Sequence, residues 1–130
     1  MIAFTVSVEL KSSVQDVFES WLNKAKHTAM TGGEAEISSQ VGAEFTAWDG
    51  YISGRNIEIQ SNNRIVQSWR TTEFKEEDAD SILELIFEEK DGNCQILLKH
   101  SQIPEGQPDY KQGWEDHYFI PMRAYFVEAT

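Results

Sequence analysis

Two Asp-Gly pairs, Asp49-Gly50 and Asp91-Gly92, constrain this chain more than any other feature. A two-residue hairpin turn of type I′ needs positive φ at both central positions, and Asp-Gly accepts that geometry. Around the first pair, Phe45, Ala47, Ile52 and Gly54 fall on one face by alternation. Ile57 and Ile59 have the opposite parity, so a β-bulge is predicted near Gly54 to Asn56. By the same register Trp48 and Tyr51 flank the turn on the side opposite to Phe45 and Ile52. Around the second pair, Leu83, Leu85 and Phe87 share a face, with Ile82 and Ile86 on the other. Cys94, Ile96, Leu98 and His100 share a face of the partner strand. Between the hairpins, "SNN" turns the chain into "RIVQSWRTTEF", with Ile65, Gln67, Trp69 and Thr71 together.

The ends of the chain read differently. Ile2, Phe4, Val6, Val8 and Leu10 alternate with small or polar residues, as in a half-buried strand. Ser12 with Gln15, or Ser13 with Asp16, then forms a capping box. Val14, Val17, Phe18, Trp21 and Leu22 lie on one helical face beyond it. "NKAKHTAMTGGEAEISSQ" reads as a loop or a broken second helix, followed by a short strand near Glu34 to Ser38. After Pro104 and Pro108 a long helix is predicted from about Asp109 to Glu128. Its stripe is Tyr110, Trp114, Tyr118, Met122 and Tyr125. Twenty residues of helix span about 30 Å, matching a twisted antiparallel sheet of six or seven strands. Pro121 lacks an N–H and crowds the carbonyl of His117, so a bend is predicted there. The fold class is α+β, in one domain over residues 1–130.

Charge restricts the partners. Twenty-two Asp and Glu against eleven Lys and Arg give a net charge of −11. A phosphate backbone or an anionic membrane surface would be repelled on average, so neither nucleic acid nor membrane is expected. The N-terminus alternates at once, without a basic start and an apolar run, so no signal peptide is expected. No apolar run is long enough to span a bilayer. The lone Cys94 excludes an internal disulfide and suits a reducing cytoplasm.

No catalytic or metal-binding set emerges. His27, His100, His117 and Cys94 lack ligand spacing, so no metal is expected. Cys94 begins an apolar strand and reads as buried filler. No nucleotide or nucleophile-elbow motif appears, and no cofactor is expected. Glu76, Glu77, Asp78 and Asp80 read as solvated loop acids. Glu115 and Asp116 complement the positive end of the last helix. The aromatic residues carry the remaining signal. Trp48, Trp69, Trp114, Tyr118 and Met122 either pack a core or line a groove for an apolar ligand. Arg70 and Arg123 then either anchor an acidic group or are surface charges. Trp48 and Tyr51, at a hairpin tip, either contact a partner protein or cover the core edge.

The segments "VGAEFTAWDGYISGRNIEIQSNNRIVQSWR", "LELIFEE", "IP" and "GWEDHYFIPMRAYF" resemble one family. It is the C-terminal domain of the activators of the heat-shock-protein-90 ATPase, within the START-like superfamily. Gly42, Gly54, Trp69 with Arg70, Pro104 and Gly113-Trp114 carry the likeness. The resemblance implies a helix-grip fold, with the last helix across a curved sheet and a cavity between them. It also implies a non-enzymatic module for a chaperone of the heat-shock-protein-90 class, in the cytoplasm. The eukaryotic activators carry a further N-terminal domain, and a stand-alone domain is expected here because the chain starts at the first strand. The alternative implied by the superfamily is a carrier or sensor of a small apolar ligand. An enzyme is ranked last, because no acid–base set is visible.

Overall fold

A computed structural model describes residues 1–128. Six strands form one antiparallel sheet in the order β1-β6-β5-β4-β3-β2. They are β1 Ile2–Leu10, β2 Glu44–Ala47, β3 Ile52–Gln60, β4 Arg64–Thr71, β5 Ser81–Lys90 and β6 Asn93–Ile103. Helices α1 (Val14–Trp21) and α2 (Lys24–Thr31) follow β1. The C-terminal helical segment runs as α3 (Tyr110–Trp114), a π-helical turn (Glu115–Phe119) and α4 (Ile120–Glu128). This is the expected α+β, helix-grip arrangement.

Both Asp-Gly pairs turn the chain as their chemistry requires. Asp49 and Gly50 have φ of 57° and 89°, and Asp91 and Gly92 have 53° and 82°. The Tyr51 N–H donates to the Trp48 carbonyl at 3.1 Å, and Ala47 pairs with Ile52. Ser13 caps α1, its hydroxyl accepting from the Asp16 N–H at 3.1 Å. The second capping alternative is therefore the one used. Asn23 caps α2 by accepting from the Lys26 N–H at 2.9 Å, so the region after α1 is a second helix.

Four expectations are corrected. The segment from Glu34 to Ser38 is no strand: only Glu36 bridges to Thr46, and the sheet has six strands. The bulge lies at Ile57, one residue past its predicted place. Gly54 stays paired with Trp69, and a Cβ there would lie 1.8 Å from the Ser68 carbonyl oxygen and 2.7 Å from the Phe45 ring. Asn56 stays paired because its buried amide donates to the Ser38 and Gln40 carbonyls and accepts from Gln67. Ile57 is then the residue without a role, and it is exposed.

The third correction concerns Trp48 and Tyr51. Strand alternation sends them away from Ile52, yet all three line one cavity. Trp48 has φ of 51°, which reorients its side chain relative to an extended residue. The fourth concerns Pro121. The last helix does not simply bend there; it widens one turn earlier, and the Ile120 N–H donates to the Glu115 carbonyl, five residues back. A wide turn just before a proline accommodates the ring that would otherwise crowd the preceding carbonyl. The extra residue advances the inward face by one position. Phe119 is buried, and Phe126 is buried where Tyr125 is only half-buried.

The core sits between the helices and one sheet face. Val8, Leu10, Ile65, Leu83, Leu85, Phe87, Cys94, Ile96 and Leu98 point into it, as their parity predicts. They meet Val17, Phe18 and Trp21 from α1, and Met122 and Phe126 from α4.

Candidate functional site

A cavity of about 290 Å³ opens between the C-terminal helical segment and the sheet, at the end nearer the β2–β3 hairpin. The hairpin supplies Trp48, Tyr51 and Ile52, and β4 supplies Trp69. The helical segment supplies Tyr110, Gly113, Trp114, His117 and Tyr118. Those five positions follow the i, i+3, i+4, i+7, i+8 rhythm of one helical face. The stretch that begins at Gly113 is therefore both a core helix and a cavity wall.

The rings interlock. Trp69 meets Tyr110 edge-to-face at 4.9 Å and Trp114 tilted at 5.7 Å. Trp114 meets Tyr118 at 4.8 Å, and Trp48 meets His117 edge-to-face at 5.6 Å. Such contacts exploit the negative ring face and positive edge.

Two buried histidines hold the wall from behind. The Trp114 indole N–H donates to His100 Nδ1 at 3.1 Å. The neutral ring then carries its proton on Nε2 and donates to Ser81 Oγ at 2.9 Å. Ser81 donates onward to the Trp69 carbonyl at 2.6 Å. One chain of hydrogen bonds thus fixes two cavity tryptophans. His27 Nδ1–H donates to the Trp21 carbonyl at 2.8 Å, leaving Nε2 to accept from the Tyr118 hydroxyl at 3.2 Å. Burial lowers His27 to about 4 and His100 to about 3, because a charged imidazole would lose its hydration. Burial likewise pushes the Tyr118 and Tyr110 hydroxyls up and holds Cys94 up at about 12. Tyr110 donates to Gln107 Oε1 at 2.8 Å and accepts from Thr71 at 2.6 Å.

Of the candidates named from sequence, Trp48, Trp69, Trp114 and Tyr118 come together here. Met122 does not line the cavity: one turn beyond the π-helical turn, it is wholly buried in the packed core. Arg70 serves the charged loop, donating to Asp80 Oδ1 at 2.7 Å, the Asp78 carbonyl at 3.0 Å and the Lys75 carbonyl at 2.8 Å. Arg123 forks onto both oxygens of Glu115, at 2.7 and 3.3 Å. Neither arginine is part of the cavity wall. Trp48 and Tyr51 are half-buried and contribute to that wall. Sequence reasoning missed Tyr51, Ile52, Tyr110, Gly113 and His117 as wall residues, since from sequence Tyr51 reads only as a protein contact or core cover and Tyr110 only as part of the helix stripe. Gly113 and His117 were discoverable, because they sit beside Trp114 and Tyr118 on the same face. Among the described residues no three His, Cys, Asp or Glu side chains form a metal-binding cluster. No described helix is long and apolar enough to cross a membrane.

Known proteins share this architecture. Over 123 residues the chain is 24% identical to the human protein "Activator of 90 kDa heat shock protein ATPase homolog 1", covering 94% of this chain and 36% of that one. It is 23% identical to the mouse homolog 2, covering 99% of this chain and 39% of that one. The chain thus spans under two-fifths of the length of these relatives. Among solved structures, an HSP90 activator from Plasmodium falciparum superposes with a TM-score of 0.83 at 20% identity, covering 98% of this chain and 97% of that one. The Aha1 dimer from Colwellia psychrerythraea gives a TM-score of 0.76 at 10% identity, covering 97% of this chain and 94% of that one. The family described as "Activator of Hsp90 ATPase homolog 1-like protein" matches residues 11–126, and the chain belongs to that family.

Proposed function

We propose that this domain is a non-enzymatic binding module for a chaperone of the Hsp90 class, acting by favouring one conformer of that partner. The observation that carries this reading is the match of residues 11–126 to the family described as "Activator of Hsp90 ATPase homolog 1-like protein". The side-chain chemistry supports it. The two buried histidines are held neutral and spend their nitrogens on Trp21, Tyr118, Trp114 and Ser81. On this reading the domain works in the cytoplasm. The test mixes the purified chain with the Hsp90-class chaperone of the same organism and follows ATP hydrolysis. A saturable rise in rate is expected. An unchanged rate, with no heat of binding by calorimetry, contradicts the reading.

The cavity favours a second reading, a carrier or sensor of a small apolar ligand. Its volume lies at the lower end of ligand sites, and its wall is mostly aromatic. Native mass spectrometry of freshly purified protein tests this. A co-purifying small molecule supports it, and a bare mass speaks against it.

A further inference from the structure

The cavity wall selects among apolar ligands, an inference that rests on the second reading above. Charge is excluded first. No carboxylate, ammonium or guanidinium lines the cavity. A charged guest would lose hydration there and find no permanent counter-charge; the one imidazole on the wall, His117, meets Trp48 edge-to-face. Ring chemistry comes second. Trp48, Tyr51, Trp69, Tyr110, Trp114 and Tyr118 surround the space at varied tilts, so both faces and edges are offered. An aromatic guest gains stacking and edge contacts beyond area burial, whereas an aliphatic guest gains only the area.

Gly113 supplies the third observation. It lies inside α3, where glycine is less favourable than alanine. Its φ is not positive, and a Cβ added to it would meet no atom within 4 Å. Neither backbone geometry nor close packing requires a glycine, yet any side chain there would occupy space beside the cavity. The contrast with Gly54 is direct, since there a Cβ would collide with backbone.

Trp48 is the fourth. It has φ of 51°, and its indole N–H is covered from solvent with no acceptor among the described residues. A buried donor left unpaired keeps its desolvation cost. Rotation of the Trp48 ring off Gly33, on which it packs, returns that N–H to water.

We propose that the cavity binds a neutral, planar aromatic molecule of two or three rings, with Gly113 leaving room for it and Trp48 yielding on entry. The test titrates N-phenyl-1-naphthylamine, a neutral fluorescent probe, into the full chain. Saturable one-to-one binding is expected. Gly113→Leu should weaken it at least about tenfold without lowering the melting temperature, and Gly113→Ala should have an intermediate effect. Neutral 2-naphthol should displace the probe, 1-dodecanol should not, and 8-anilino-1-naphthalenesulfonate should bind at least about tenfold more weakly because of its charge. If dodecanol displaces the probe as well as naphthol does, or the sulfonate binds equally, the proposed ligand class is overturned while the carrier reading stands. If Gly113→Leu leaves probe binding unchanged, the proposed site is overturned while the carrier reading stands on its own test; if no probe binds saturably, both fall.

Discussion

One helical segment roofs both ends of the space above the sheet, and the two ends are filled differently. Beneath α4, Met122 and Phe126 are 0% and 1% exposed, and α4 packs on α2 and β1. Beneath α3 and the π-helical turn, about 290 Å³ remains. Overall hydrophobicity does not explain the difference, because the open end carries more rings. Methionine is flexible and fills irregular gaps. Indole and phenol rings are rigid plates that leave space where they meet at an angle. At the open end that space is left next to a glycine. A stripe of large apolar residues is therefore no guarantee of a filled core.

The largest expected effect lies at the filled end. Met122→Ala should cost about 2–5 kcal/mol in chemical denaturation, through lost burial and the void left behind. A cost below about 1 kcal/mol would mean that this end is looser than described.

Acid comes next, and it acts at the junction of the two ends, where His27 holds Tyr118 and His100 holds Trp114. The folded rings titrate near 4 and 3, against about 6.5 when unfolded. The unfolded chain therefore binds more protons in this interval, and stability falls as pH falls. The contribution is complete above about pH 6.5 and is lost progressively as pH falls through about 4 for His27 and about 3 for His100. The melting temperature should drop by roughly 10 °C or more between pH 7 and 4.5. In a His27→Gln, His100→Gln double variant the pH profile should flatten. An equally steep profile in that variant would assign the acid sensitivity to other groups.

The smallest effect belongs to the open end. Gly113→Ala should stabilise the domain by about 0.5–1 kcal/mol, since helix propensity improves and no contact is strained. Destabilisation would show that the space beside Gly113 is smaller than described.

Most of the scaffold was legible because it rests on local chemistry. Asp-Gly turns, the Ser13 cap and the alternation of Leu83, Leu85 and Phe87 need only neighbours in sequence. What escaped depends on tertiary context. The π-helical turn ahead of Pro121 shifts the inward face by one residue, which buries Phe126 and leaves Tyr125 at the margin. Met122 keeps its place on the inward stripe but lies a turn beyond the cavity, which spacing along the helix does not reveal. The left-handed backbone of Trp48 reverses the side that alternation assigned, because alternation holds only for extended residues. Four of the five proposed pocket residues were found from their size and their place near the sheet-to-helix gap, whereas Gly113 has no side chain and could be found only from its place on the helical face of Trp114 and Tyr118.

Xenon measures the contrast between the two ends most directly, since it enters dry apolar cavities. In crystals of this chain pressurised with xenon, anomalous density is expected between Trp69, Trp114 and Tyr118, and none beside Met122 and Phe126. Density at the α4 end, or no density between those three rings, would contradict the account.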